Sequence, residues 1–395
     1  MRLRSLVLTG LLCVCLSASA QTSPYEAWAD TLTRITGFPV TEGNRISYTK
    51  SGEVFFHQLM EDIEGAKESI SMEFYWFDTD TVGRMMRDAL IRKAREGVKV
   101  RFLMDNLVMP IAPEYFYDKI RKAGGEVLYA NDFNRLGFFK SFAHVINHRD
   151  HRKIAVIDHR IAYTGGINIC RPAVFDWDDL AMRLEGPIVT SMEELLSREW
   201  VKAGGAPFEI PAPAEACGPF RVQLIPGNAT EEIADIYADV VRHAREYIYI
   251  QTPYFIPPPQ LQEAMLDAAA RGVDVRMVLA KSDHAFMDEA ARDYYPALIA
   301  AGVRVSQWQD KFDHGKTFVA DHIILSCGTQ NLDMRSFYLN YENSLFIYDK
   351  AMADEFTDIF LSIETGAVPL QVSDSEAKGF KKLWRGILHT IAPLL

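Results

Sequence analysis

Cysteine is scarce in this chain of 395 residues: there are five, and two of them, Cys13 and Cys15, fall in the first twenty positions. The others, Cys170, Cys217 and Cys327, form an odd, widely spaced set, which excludes a disulfide framework. Positive charge is also in deficit, with 42 Lys and Arg against 53 Asp and Glu and a net charge of −11. Phosphate backbones are bound mostly by Lys and Arg, so the chain is a poor fit for a general nucleic-acid binder, and no nucleic-acid partner is expected. No Cys/His or Asp-rich cluster has metal-ligand spacing, so metal-free chemistry is expected, with no cofactor. No Gly-rich loop closes on Lys-Ser/Thr, so triphosphate use is not implied. Beyond the N-terminus, no apolar run is long enough to span a bilayer.

What is present is an ordinary globular composition, 48% hydrophobic and 24% charged, on a length suited to two cores. The first twenty residues stand apart. Arg2 and Arg4 precede an almost wholly apolar run from Leu6 to Leu16, and Ala18-Ser19-Ala20 follows. This pattern reads as a secretory signal peptide, residues 1–20, cut after Ala20. The run would reach about 17 Å as a helix, against about 30 Å of hydrocarbon. Loss of Arg2 and Arg4 leaves 40 cations against 53 anions, a balance of −13. At the other end, Phe380, Leu383, Trp384, Ile387, Leu388 and Ile391 recur at helical spacing. Lys381, Lys382, Arg385 and His389 lie largely off that stripe, and Pro393 stops it. Residues 376–395 therefore predict a basic amphipathic helix. It is suited either to a membrane interface or to capping the core, and its basic face in an acidic chain favours lipid contact through 379–395.

The strongest signal is an internal repeat of large period. His151, Lys153 and Asp158 read H-x-K-x-x-x-x-D, and His314, Lys316 and Asp321 read the same at an offset of 163 residues. That offset also carries Gly165 to Gly328, Asn168 to Asn331 and Asp179 to Glu342. One such motif is weak, but six positions in register are not chance. Looser echoes flank it. Ala66–Glu73 resembles Ala244–Gln251, and the Gly97 turn resembles the Gly272 turn, each a helix end leading into a buried strand. Alternating helices and strands predict two α/β halves with covered sheets. The boundaries read as an N-terminal extension 21–44, a first half 45–204, a linker 205–219 within the Ala/Gly/Pro-rich stretch, and a second half 220–375.

Along a strand, residues i and i+2 share a face, so each His projects with its Lys. Asp158 and Asp321 close the strands and are expected to anchor turns by accepting backbone hydrogen bonds. Gly166 and Thr329, beside Gly165 and Gly328, fall where backbone approaches a ligand. Asn168 and Asn331 have amide hydrogens to offer an anionic oxygen. Two cations with amide donors suit a phosphodiester, and two histidines suit one nucleophile and one general acid. Each imidazole needs its other nitrogen held. Asp179 and Glu342, each 28 residues beyond its own His, are the natural holders.

The doubled motif resembles the phospholipase D superfamily, and more closely the bacterial cardiolipin synthases. The likeness rests also on Gly165-Gly166-Ile167-Asn168, Trp177-Asp178-Asp179, Thr252-Pro253-Tyr254-Phe255 and Gly328-Thr329-Gln330-Asn331-Leu332-Asp333-Met334-Arg335-Ser336. It runs from about residue 45 to the end. The resemblance implies two phospholipase D-like α/β halves about a pseudo-twofold, with one active site at their interface and a covalent phosphatidyl-histidine. It implies His151 as nucleophile and His314 as acid, then base. Lys153, Lys316, Asn168 and Asn331 would hold the phosphate, with Asp179 and Glu342 orienting the imidazoles. The implied substrate is a phospholipid, phosphatidylglycerol first, and the product cardiolipin plus glycerol. The alternatives are a secreted phospholipase D releasing phosphatidic acid and a phosphodiester nuclease. With the signal segment, the expected location is the periplasm, peripheral to a membrane of the bacterial envelope. Departures from the family pattern are Asp150 where many relatives carry Asn, Gly315 inside the second motif, and Gln330. Phe138, Phe139 and Phe142, just before the first motif, suit either an apolar lip for acyl chains or plain core.

Overall fold

The computed structural model describes residues 24–105, 114–131, 147–228, 231–281, 285–375 and 385. The expected signal segment 1–20, the three phenylalanines at 138, 139 and 142, and the expected helix 376–395 apart from Arg385 lie outside those residues. Among the described residues, no helix is long and apolar enough to cross a membrane.

Strands are numbered in chain order. The first half holds β1 (Thr41–Thr49), β2 (Ser69–Phe74), β3 (Lys99–Asp105), β4 (Glu126–Ala130), β5 (Lys153–Ile157), β6 (Ile161–Gly165) and β7 (Ala181–Glu185). The second holds β8 (Phe220–Asn228), β9 (Tyr247–Thr252), β10 (Phe255–Ile256), β11 (Asp274–Leu279), β12 (Arg304–Gln307), β13 (Thr317–Ala320), β14 (Ile324–Gly328), β15 (Leu332–Asp333), β16 (Tyr341–Tyr348) and β17 (Val368–Pro369). They form one 15-stranded sheet with β10 and β15 paired apart. From the centre outward the first half reads β1-β7-β6-β5-β2-β3-β4, and the second repeats it as β8-β16-β14-β13-β9-β11-β12. The antiparallel pairing of β1 with β8 is the seam.

The inner strands are buried on both faces, Ser69, Ser71 and Glu73 of β2 included, because both faces are covered. All six residues of β2 and all six of β9 are buried. One face carries the helices Ile188–Lys202 and Lys350–Gly366, over a core that runs across the seam. There Leu195 and Trp200 of the first half join a cluster with Leu345, Phe356 and Phe360 of the second. The opposite face has a separate core in each half. Two private cores and one shared core tie the halves into one body. The described part of the N-terminal segment, from residue 24, packs on the second half. Its helix Pro24–Thr36 places Trp28 and Leu32 in the second half's core, and Gln223 donates to the carbonyls of Ala29 and Phe38, both at 3.0 Å.

Candidate active site

Two register facts position the chemistry. Phe74 of β2 faces Lys153 of antiparallel β5, so His151 emerges just beyond the C-terminal end of β2. Gln251 of β9 faces Thr317 of β13, which brings His314 out at the same end of its half. The stretches before each histidine then cross to the other half. Asp150 forms a parallel bridge with Tyr341, and Asp313 one with Asp178. The amide of His151 donates to the Tyr341 carbonyl at 2.9 Å, and that of His314 to the Asp178 carbonyl at 2.7 Å. These bridges are the repeat written twice, since 150 and 178 become 313 and 341 under the same offset.

The crossing corrects the pairing that the spacing suggested. Neither histidine meets the carboxylate 28 residues ahead of it. Nδ1 of His151 lies 2.8 and 3.0 Å from the Glu342 carboxylate oxygens, and Nδ1 of His314 lies 2.7 Å from Asp179 Oδ2. Each half supplies the imidazole of one dyad and the carboxylate of the other. With Nδ1 held, Nε2 is the nitrogen left for chemistry.

Lys153 and Lys316 follow their histidines into the site. Nζ of Lys153 donates to the His151 carbonyl at 2.8 Å, and Nζ of Lys316 to the His314 carbonyl at 2.5 Å. Both are buried. Burial pushes the ammonium of Lys153 down to about 7 and that of Lys316 down to about 8, although nearby carboxylates oppose the shift. Burial also lowers both histidines. His314 falls well below its usual value because Lys316 and Lys153 add repulsion, whereas Glu342 partly restores His151. Burial and the lysines thus disfavour the protonated form of both imidazoles, most strongly at His314.

The carboxylates differ. Burial works to raise Glu342, but the charge and hydrogen bond of His151, with Lys153 and Thr329, hold it below the usual range. Three further donors reach it: Thr329 Oγ1 at 2.6 Å, Ser336 Oγ at 3.0 Å and Asn340 Nδ2 at 3.2 Å. Among the described residues, Asp179 accepts the Leu180 amide at 2.7 Å beside its contact with His314, and burial pushes it up to about 6. At the position equivalent to Thr329 stands Gly166, where a Cβ would come within 2.1 Å of Asp179 Oδ1. The same site in the repeat thus gives a donor in one half and, in the other, no side chain at all, with the carboxylate itself filling the space. Gly165 and Gly328 likewise admit close backbone, since a Cβ would lie 2.1 Å from the Leu180 carbonyl and 2.4 Å from that of Asn343.

Asn168 and Asn331 are both buried beside the motifs. Asn168 accepts the Trp76 amide at 3.3 Å. Asp158 and Asp321 lie at the far ends of β5 and β13. Their carboxylates accept three consecutive amides each, Lys67 to Ser69 and Arg245 to Tyr247, at 2.7–3.0 Å. They fasten the entry of the neighbouring strand, from backbone at φ +50° and +49°. Among the described residues, no group of three or more His, Cys, Asp or Glu is placed to hold a metal ion.

A family described as "Cardiolipin synthase, PLD-like domain" matches residues 59–200 and 237–363, one match for each half of the sheet. This chain belongs to that family. It is an enzyme of the phospholipase D type. The cardiolipin synthase of Clostridium perfringens (strain SM101 / Type A) is 31% identical over 377 residues, covering 90% of this chain and 78% of that protein. The major cardiolipin synthase ClsA of Bacillus subtilis (strain 168) is 34% identical over 337 residues, or 81% of this chain and 69% of that one. The solved phosphatidylserine synthase of Haemophilus influenzae Rd KW20 shares the fold, with a TM-score of 0.67 at 14% identity over 92% of this chain and 97% of that one.

The roles of several residues of this phospholipase D-like site escape a motif search. Ser336 and Asn340 hold Glu342 from within the short stretch Asp333–Glu342. The only hint in the sequence is a run of polar side chains that end up buried. Tyr75 packs edge-on against His151 with ring centres 4.9 Å apart. Behind His151 lies a wholly buried Arg152. Its Nε donates to the Glu342 carbonyl at 3.1 Å, and its Nη1 lies 3.2–3.6 Å from Glu199, Glu73 and Asp150. The middle residue of an H-x-K motif carries no signal of such a cluster.

Proposed function

We propose that this enzyme moves a phosphatidyl group between two phosphatidylglycerol molecules, giving cardiolipin and glycerol. The observation that carries the reading is the pair of facing dyads, each imidazole oriented by a buried carboxylate from the opposite half and flanked by a buried lysine. The named activity of the relatives supports the substrate.

In the first step Nε2 of His151 attacks phosphorus. The bond to the headgroup oxygen breaks, and His314 gives that oxygen its proton, so glycerol leaves. The arriving phosphodiester supplies the condition for this step. Its negative charge offsets the lysine repulsion that keeps His314 neutral, so His314 takes up a proton as substrate binds. Lys153 and Lys316 balance the nonbridging oxygens, assisted by Asn168 and Asn331. In the second step His314 removes the proton of an acceptor hydroxyl. The new O–P bond forms as the P–N bond breaks, and the electron pair returns to His151. One diester replaces another, so no nucleotide is consumed. Water as acceptor would give phosphatidic acid instead.

The same proposal places the enzyme in the periplasm, at a membrane surface, on the strength of the sequence patterns at 1–20 and 379–395. Lipid mass spectrometry after adding the purified protein to phosphatidylglycerol vesicles tests the reaction. Cardiolipin with glycerol, absent with His151→Ala, is the expected result. Phosphatidic acid alone would replace the transferase reading with a hydrolase.

A further inference from the structure

The surroundings of the two histidines are unlike each other, and the difference falls where the acceptor must bind. Around His314 four aromatic rings form a continuous wall. Trp177 lies 5.2 Å from the imidazole, Phe312 lies 5.5 Å from it, and these two are 5.3 Å apart. Trp76 extends the wall beyond Trp177 at 6.2 Å, and Tyr254 extends it beyond Phe312 at 6.4 Å. All four are only half-buried, with Trp76 and Trp177 resting on the first half's core and each ring keeping some exposed surface. Among the described residues, His151 has one close ring, Tyr75, which stands in the field of Asp105, Arg149 and Arg335. One flank of the site is apolar and aromatic, the other polar and charged.

The wall is held by the crossed backbone. Trp177 and Phe312 directly precede the bridged pair Asp178 and Asp313, and the Asp178 amide donates to the Phe312 carbonyl at 3.0 Å. Each half contributes one ring, fixed by the same bridge that sets the His314 dyad. On the half equivalent to His151, the offset of 163 replaces Trp177 with Asn340 and Phe312 with Arg149. The repeat has thus exchanged two aromatic side chains for two polar ones at matching positions.

We propose that Trp177 and Phe312 determine specificity by walling the alcohol subsite against water, so that a carbon-bearing hydroxyl rather than water takes the phosphatidyl group. This rests on the reading above, in which His314 deprotonates the acceptor. The acceptor oxygen must then come within hydrogen-bond reach of His314 Nε2. The carbon atoms attached to it lie over the ring faces, whereas a water molecule there gains nothing from the rings and loses its hydrogen-bonding neighbours. In both outcomes an O–H proton passes to His314, an O–P bond forms and the His151–P bond breaks. Only the fate of the second oxygen substituent, carbon or hydrogen, differs.

The test compares wild type, Trp177→Ala, Phe312→Ala and the conservative Trp177→Phe, all as full chains on phosphatidylglycerol vesicles. Cardiolipin and phosphatidic acid are quantified in the same reaction. The alanine variants are expected to lower the cardiolipin-to-phosphatidic-acid ratio by about tenfold, and Trp177→Phe to keep most of it. Two separate alanine sites keep the test decisive should one variant fold poorly. A ratio unchanged in the variants, whatever happens to total turnover, overturns the wall while leaving the transferase intact. A wild type that makes only phosphatidic acid overturns the transferase reading and the wall with it.

Discussion

The Glu342 and Asp179 ends of the site are the same piece of protein built twice, and they have been finished differently. Glu342 accepts three side-chain hydrogen bonds besides its histidine and stays ionised, while Asp179 rises to about 6. Behind His151 a guanidinium sits among Glu73, Asp150 and Glu199. Behind His314 the corresponding positions are Gly315, Gln251 and Asp313, and Gln251 Nε2 donates to both Asp313 oxygens at 2.7 and 2.8 Å. A firmly ionised carboxylate fixes its imidazole in one tautomer, which suits a nucleophile. A carboxylate near its titration point suits an imidazole that must carry a proton in one step and release it in the next. Under the proposed roles, a near-symmetric scaffold is divided by the donors around each carboxylate and by the residue between His and Lys, while the His and Lys themselves stay the same.

The sharpest way to break this comparison is to delete each imidazole. His151→Ala and His314→Ala should each cost at least about a thousandfold in turnover of phosphatidylglycerol. With a p-nitrophenyl diester, whose leaving group needs no acid, His314→Ala should still form a protein adduct and His151→Ala should not. Intact-protein mass spectrometry reads this directly, and the reverse pattern would exchange the two roles. Next, Glu342→Gln should lower kcat by about a hundredfold and Asp179→Asn by about tenfold, because only the first removes a charge that the site keeps. Equal losses would erase the distinction between the carboxylates.

The deeper layer gives a comparison in stability. Arg152→Met strands three buried carboxylates and should cost about 3–5 kcal/mol in chemical denaturation. Gly315→Ala brings a Cβ to 2.6 Å from Gln251 Nε2 and should cost about 1–3 kcal/mol. The smallest effect is in pH. Lys153 and Lys316, lowered to about 7 and 8, lose their charge as pH rises through those values, so kcat/KM should fall on the alkaline side beginning near 7. The histidines are lowered too, so the acid side should fall below their ordinary range. Lys153→Arg keeps one cation at every working pH and should move the onset of the alkaline fall up to about 8. A profile unmoved by that substitution would remove Lys153 from the phosphate site.

Much of this architecture was legible because it is local or repeated. The alternation of helix and strand, the turns at Gly97 and Gly272, and the six positions at constant offset all leave marks within short stretches. The pairing of the dyads left none. His314 and Asp179 are 135 residues apart and His151 and Glu342 191, and the decisive bridges run through the main chain, which any sequence can form. The helix Pro24–Thr36 reads as an appendage for a similar reason. Nothing in its local sequence tells that Trp28 and Leu32 enter the core of the second half. The Arg152 cluster is hidden because four charges scattered from Glu73 to Glu199 look like solvated surface until the sheet gathers them.

The crossed dyads have one more consequence. A chain with only its first half formed carries His151, Lys153 and Asp158 but lacks Glu342, and its Asp179 faces no histidine. Neither half holds one complete reaction centre, so reactivity arrives with the closing of the seam. A copy that has formed only one half therefore lacks one partner of each dyad.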